Sequence, residues 1–139
     1  MTTELRPWGE SDAGHLLRAF GASDDLAPQV GDADLSTLER HDTAWVYYWV
    51  SAEARGQGLA TRSLASAARW AFEQRDLFRL ELGHRVNNPA SRIVALKAGF
   101  APEGIERQKL KYEHQRYDVE THSRLRSDPA PEIELFTAR

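Results

Sequence analysis

Residues 44–60 constrain this chain more than any other stretch. Ala44-Trp45-Val46-Tyr47-Tyr48-Trp49-Val50 is an unbroken apolar and aromatic run. Aromatic and β-branched residues suit a pleated surface, so the run predicts a buried strand. A short polar turn with Gly56 and Gly58 follows, and helical spacing begins at Leu59. Strand, glycine turn and helix in that order make an anion site. The glycines allow close backbone approach, and the N–H groups of the helix's first turn lack partners inside the helix. Arg55 adds a positive charge at the mouth of the turn.

Two familiar phosphate loops do not fit. A Walker loop needs GxxxxGK[ST], and no Lys follows Gly58. A dinucleotide fingerprint needs a third glycine, where Gly56-Gln57-Gly58-Leu59-Ala60-Thr61 has Thr61. The composition narrows the partners. A formal net charge of -3 gives no footprint for nucleic acid. The chain has no cysteine, so disulfides, thiolate chemistry and cysteine metal sites are excluded, and no metal site is expected. No apolar run approaches the roughly 20 residues of a membrane span, and the first residues lack a signal-peptide core. A cytoplasmic protein without a membrane partner is the expectation. The length of 139 residues predicts one domain over residues 1–128, followed by a tail over 129–139.

Elsewhere the pattern is helix and strand in alternation. Thr3 to Trp8 reads as a short strand, closed by Pro7. Leu16, Leu17 and Phe20 mark a first helix, and 34–40 has room for one or two more turns. Leu64, Ala67, Ala68, Ala71 and Phe72 recur at helical spacing over Leu59 to Phe72. Leu77 to His84 alternates as a strand, with Phe78, Leu80 and Leu82 on one face. Asn88 is placed to cap a helix that Pro89 begins and Gly99 ends, with Ile93, Leu96 and Phe100 as its buried side. Ile105 to Tyr112 and Tyr117 to Leu125 flank Glu113-His114-Gln115-Arg116 as a hairpin. Arg107, Lys109, Lys111 and Arg116 on that hairpin form a solvated basic face or attract an acidic group.

Taken in order, several pieces of the second half resemble the RimJ/RimL-like branch of the GNAT superfamily, the GCN5-related N-acetyltransferases. They are Tyr48-Trp49-Val50, the loop Arg55-Gly56-Gln57-Gly58-Leu59-Ala60, Arg79-Leu80-Glu81-Leu82, Asn88-Pro89-Ala90-Ser91, Lys97-Ala98-Gly99-Phe100, Glu103-Gly104 and Tyr117-Asp118-Val119. The resemblance implies a mixed α/β sheet of the acyl-CoA N-acyltransferase type. In it the strand before the glycine loop and the strand at Phe78–Leu82 run parallel and then diverge. It implies acetyl-CoA as co-substrate, with pantetheine against backbone near Val50. The diphosphate would lie on the N–H groups of Arg55, Gly56, Gln57, Gly58, Leu59, Ala60 and Thr61, and Asn88 would help hold the coenzyme. The implied reaction is direct attack of a primary amine, from a protein N-terminus, an amino acid or a small amine, on the thioester; the alternative is a shortened domain of this type that binds the coenzyme or self-associates without catalysis. Ser91 would be the acid for the leaving thiolate.

The chain departs from that pattern twice. No two strand-like segments lie upstream of Asp42, so the central hairpin, strands two and three of the family, is expected to be absent. That leaves about five strands, with the first able to pair antiparallel with the aromatic strand, or else an open edge that favours a homodimer. The family's usual carboxylate before the loop is also missing, its place held by Trp45 or Val46. Glu81 and His84 are the remaining candidate bases, with water as a further route for the proton.

Overall fold

The computed structural model describes residues 4–5, 41–48 and 56–138. The expected helices around Leu16 and over 34–40, the residues that bear on a missing hairpin, and Trp49, Val50 and Arg55 lie outside the described residues. Four strands form the main sheet: β2 (Thr43–Trp45), β3 (Arg79–Arg85), β4 (Ala101–Tyr112) and β5 (Gln115–Leu125). Their spatial order is β2-β3-β5-β4. Strand β2 runs parallel to β3, and the other two pairings are antiparallel. Helix α1 (Leu59–Gln74) makes the crossover from β2 to β3, and α2 (Pro89–Lys97) links β3 to β4.

The helices cover one face of the sheet. Along β3 the buried side chains are Leu80, Leu82 and His84, and the alternates Arg79, Glu81, Gly83 and Arg85 are only half-buried. Leu64, Ala65, Ala68, Ala71 and Phe72 of α1 pack on Leu80 and Leu82, joined by Ala95, Ala98 and Phe100. Alanines at the contact let the helix axis approach the sheet, and the two leucines fill the space between. The expected buried side of α2 is corrected here. Ile93 and Leu96 are exposed, and Ala95 and Ala98 face the core in their place. Val94 packs partly buried beside these two alanines.

Two strand expectations also change. The aromatic strand ends at Trp45, with Val46, Tyr47 and Tyr48 outside any ladder, and Tyr47 is exposed. The first strand, β1 (Glu4–Leu5), pairs parallel with β6 (Thr137–Ala138) in a separate two-stranded sheet, not with β2. The approach to β6 is anchored on α1. The Phe136 N–H donates to Ser66 Oγ at 2.7 Å, and the Arg62 guanidinium lies 4.0 Å above the Phe136 ring. These bonds hold the C-terminal segment near α1, which makes it the available partner for β1.

Candidate acyl-coenzyme site

The site forms where β2 leaves β3. Thr43, Ala44 and Trp45 stand opposite Arg79, Leu80 and Glu81, and the Val46 N–H donates to the Glu81 carbonyl at 2.7 Å. Beyond that bond β3 continues for four residues, paired only with β5 among the described residues. Backbone groups point alternately to the two sides of a strand, so those of Gly83 face the side that β2 has vacated. The Trp45 indole lies over Gly83, on the sheet face opposite the helices. A Cβ on Gly83 would lie 3.1 Å from the Trp45 ring and 2.9 Å from Val119 Cγ1. Glycine at 83 therefore gives the indole its seat.

The glycine turn has the geometry that its sequence requires. Gly56 and Gly58 are left-handed, with φ of 79° and 73°, a conformation costly for other residues. Gly58 is the N-cap of α1 and provides no side-chain cap. The first helical bond runs from the Arg62 N–H to the Gly58 carbonyl. The N–H groups of Leu59, Ala60 and Thr61 therefore precede the helical ladder and face outward with the positive end of the helix dipole. Gln57 sits exposed in the same turn.

Helix α2 brings the second polar group to the gap. The Asn88 side chain accepts from the Ser91 N–H at 3.1 Å, so Asn88 is an N-cap and Pro89 occupies the first turn without loss of a bond. That cap fixes Ser91, whose Oγ lies 2.7 Å from the Tyr48 hydroxyl. Tyr48 also donates to the Ser91 carbonyl at 3.1 Å. Burial pushes the Tyr48 phenol above its ordinary pKa, against a smaller opposing effect of the Ser91 bond. The phenol is thus a neutral donor near pH 7. From the sequence, Tyr48 is a strand residue and part of the family resemblance, with no role in the site. Its partner is 43 residues away, and no local signal joins the two.

The two candidate bases are both engaged and lie on opposite faces of β3. Glu81 accepts from Arg79 Nε at 2.8 Å, and Arg79 also bonds Glu103. His84 is buried on the helix-covered face. Its Nδ1 is 3.0 Å from the Arg85 carbonyl, and its Nε2 is 3.0 Å from His122 Nε2. Glu81 thus engages one carboxylate oxygen, and His84 has a contact at each ring nitrogen. On the hairpin, Lys109 pairs with Glu106 and Arg116 donates to the Gln108 carbonyl, the contacts of an ordinary solvated face.

Comparison with known proteins places this geometry in a class. A family model described as the acetyltransferase (GNAT) domain matches residues 8–101. The chain belongs to this GNAT acetyltransferase family. It is 32% identical over 111 residues to the probable N-acetyltransferase YjcK of Bacillus subtilis, covering 78% of this chain and 60% of that one. Among solved structures it is similar to Mycobacterium smegmatis RimJ in complex with CoA-disulfide. There the identity is 30% and the TM-score 0.58, over 61% of this chain and 41% of the other. A RimL ribosomal L7/L12 alpha-N-protein acetyltransferase in complex with coenzyme A matches at 28% identity and TM-score 0.58, over 60% and 48%. The chain spans between about two fifths and three fifths of the length of these relatives. The mixed sheet flanked by α1 and α2 is the fold of this family.

Proposed function

We propose that this chain is an acetyl-CoA-dependent N-acetyltransferase domain acting on a primary amine. The observation that carries the reading is the parting of β2 from β3 after a three-residue ladder, with the Ser91–Tyr48 pair near the parting strand end. A continuous ladder would leave no slot for an acyl chain. Bound acetyl-CoA would supply an activated thioester. Its pantetheine amides would pair with backbone at Val50 and along the vacated side of β3. Its diphosphate would lie on the turn from Arg55 through Gly56, Gln57 and Gly58 to Leu59, Ala60 and Thr61, where the left-handed glycines and the unladdered N–H groups suit an anion.

In this reading Ser91 is the acid. The Asn88 cap holds the Ser91 backbone N–H, and Ser91 Oγ is 2.7 Å from the Tyr48 hydroxyl, so once Oγ has given its proton to the leaving thiolate the phenol can turn its own proton from the Ser91 carbonyl to Oγ and recover one from water. Glu81 is ion-paired with Arg79, which it shares with Glu103, and both ring nitrogens of His84 have partners. We infer that the amine proton leaves through water rather than through either residue. The coenzyme complexes of the RimL and RimJ relatives support the co-substrate, and the RimL relative's alpha-N-protein acceptor supports a protein N-terminus as acceptor. Strand β2 is an edge of the main sheet among the described residues, which supports a homodimer formed along it.

Calorimetric titration with acetyl-CoA, followed by thiol release with a panel of amines and N-terminal peptides, tests the proposal. Saturable binding and release with at least one amine are expected. Ser91→Ala should lower turnover by about 100–10,000-fold with little change in coenzyme affinity, the range for loss of a general acid. Tyr48→Phe should lower it less. Binding without release for any acceptor would reduce the reading to a coenzyme-binding domain, and unchanged turnover in Ser91→Ala would remove Ser91 as the acid.

A further inference from the structure

Beneath α2, on the helix-covered face of the sheet, three side chains converge on one point. His84 stands opposite Glu120 in the β3–β5 register, and His122 follows two residues along β5 on the same face. His84 Nε2 is 3.0 Å from His122 Nε2 and 3.3 Å from Glu120 Oε1, and His122 Nε2 is 2.9 Å from that oxygen. We propose that His84 Nε2, His122 Nε2 and Glu120 Oε1 form a three-donor site for a divalent transition-metal ion, zinc foremost. This inference is independent of acetyl transfer and uses none of the residues assigned to the acid or to the coenzyme turn.

The donor set is that of a metal centre. Two neutral imidazoles and one carboxylate match the preference of zinc for nitrogen and oxygen ligands, with one position left for water. Zinc bonds of about 2.0–2.1 Å in tetrahedral geometry hold donors about 3.3 Å apart, so this triangle needs to open by only a few tenths of an ångström. The tautomer of His84 is fixed from outside. Its Nδ1–H donates to the Arg85 carbonyl at 3.0 Å, which turns the Nε2 lone pair toward the centre. Only one proton fits between the two Nε2 atoms. Both histidines are buried, and His122 has no exposed surface, so water does not dissolve the cluster.

Two features set the strength and route of binding. Arg92 of α2 donates through Nε to the same Glu120 oxygen at 2.9 Å. Its guanidinium is the cation that an entering ion must displace. The Arg92 side chain is about half exposed, so it can turn to solvent and open the Glu120 side of the cluster. His122 Nδ1 has no hydrogen-bond partner. Metal binding at Nε2 would place a buried, unpaired N–H there, so affinity should fall short of a site with a complete outer shell. An ion here would tie β3 to β5 through the two rings, whose centroids are 5.0 Å apart.

The untagged full chain, titrated with zinc chloride by calorimetry and with cobalt chloride by visible absorption, tests this. One ion per chain is expected, with cobalt bands of a four-coordinate nitrogen–oxygen site. Glu120→Gln should weaken binding at least tenfold. Arg92→Gln should tighten it several-fold, the opposite of what a purely structural hydrogen-bond network predicts for loss of a partner. Zinc should raise the melting temperature of the wild-type chain and not that of Glu120→Gln. Both substitutions lie at the rim of the cluster and leave the buried rings in place, with far-ultraviolet circular dichroism as the check on folding. Absence of binding overturns the site. Equal affinity in the wild type and Glu120→Gln, or weaker binding in Arg92→Gln, overturns it as well.

Discussion

The two ends of β3 are built for different purposes. Its first half, Arg79–Glu81, is hydrogen-bonded on both sides, by β2 and by β5. Its second half, from Leu82 to Arg85, keeps only β5 among the described residues. One strand thus carries a sealed segment that positions the sheet and an open one whose backbone groups are available to a ligand. The switch is local. Trp45, opposite Glu81, is the last residue of the ladder, and its indole lies over Gly83.

Substitutions along β3 sharpen that contrast. The largest effect belongs to the sealed end. Leu80 is 1% exposed beneath α1, and Leu80→Ala should destabilise the fold by about 2–5 kcal/mol, read from denaturant unfolding. Gly83→Ala at the open end should cost less, about 1–3 kcal/mol, because Trp45 and Val119 must yield to the new methyl. The same change should weaken acetyl-CoA binding if the indole's seat shapes the slot. If Gly83→Ala costs as much as Leu80→Ala, the open end is packed as tightly as the sealed one and the contrast fails.

The smallest effect lies on the outer face of the sealed end. The Arg79 hydrogen bond holds the Glu103 carboxyl below its ordinary value, against the upward pull of burial. A carboxylate with a depressed folded pKa adds stability that is present above its unfolded pKa and lost as pH falls through the folded one. Stability should therefore decline below about pH 4.5, the unfolded reference, and Glu103→Gln should flatten part of that decline. The pair is substantially exposed, so solvent screening limits the change to a few tenths of a kcal/mol. Chemical denaturation of both proteins across the acid range measures it. A slope unchanged by Glu103→Gln would detach this ion pair from the stability of the sealed end.

Much of this architecture was legible in the residues themselves. Leu64, Ala68, Ala71 and Phe72 announce α1 by spacing, Asn88-Pro89 and Gly99 bracket α2, and the glycines at 56 and 58 mark a turn that only glycine tolerates easily. These signals lie within a few residues of what they specify, because hydrogen bonds in turns and helices connect near neighbours. What escaped was set across the chain. The packing of Ala95 and Ala98 in place of Ile93 and Leu96 depends on how closely α1 approaches. The bond between Tyr48 and Ser91, the pairing of β1 with β6, and the meeting of His84 with Glu120 and His122 join residues from 36 to more than 130 positions apart. Local pattern sets which face a side chain takes. Only the tertiary fold, by deciding which strands are neighbours and in what register, decides which side chain it meets there.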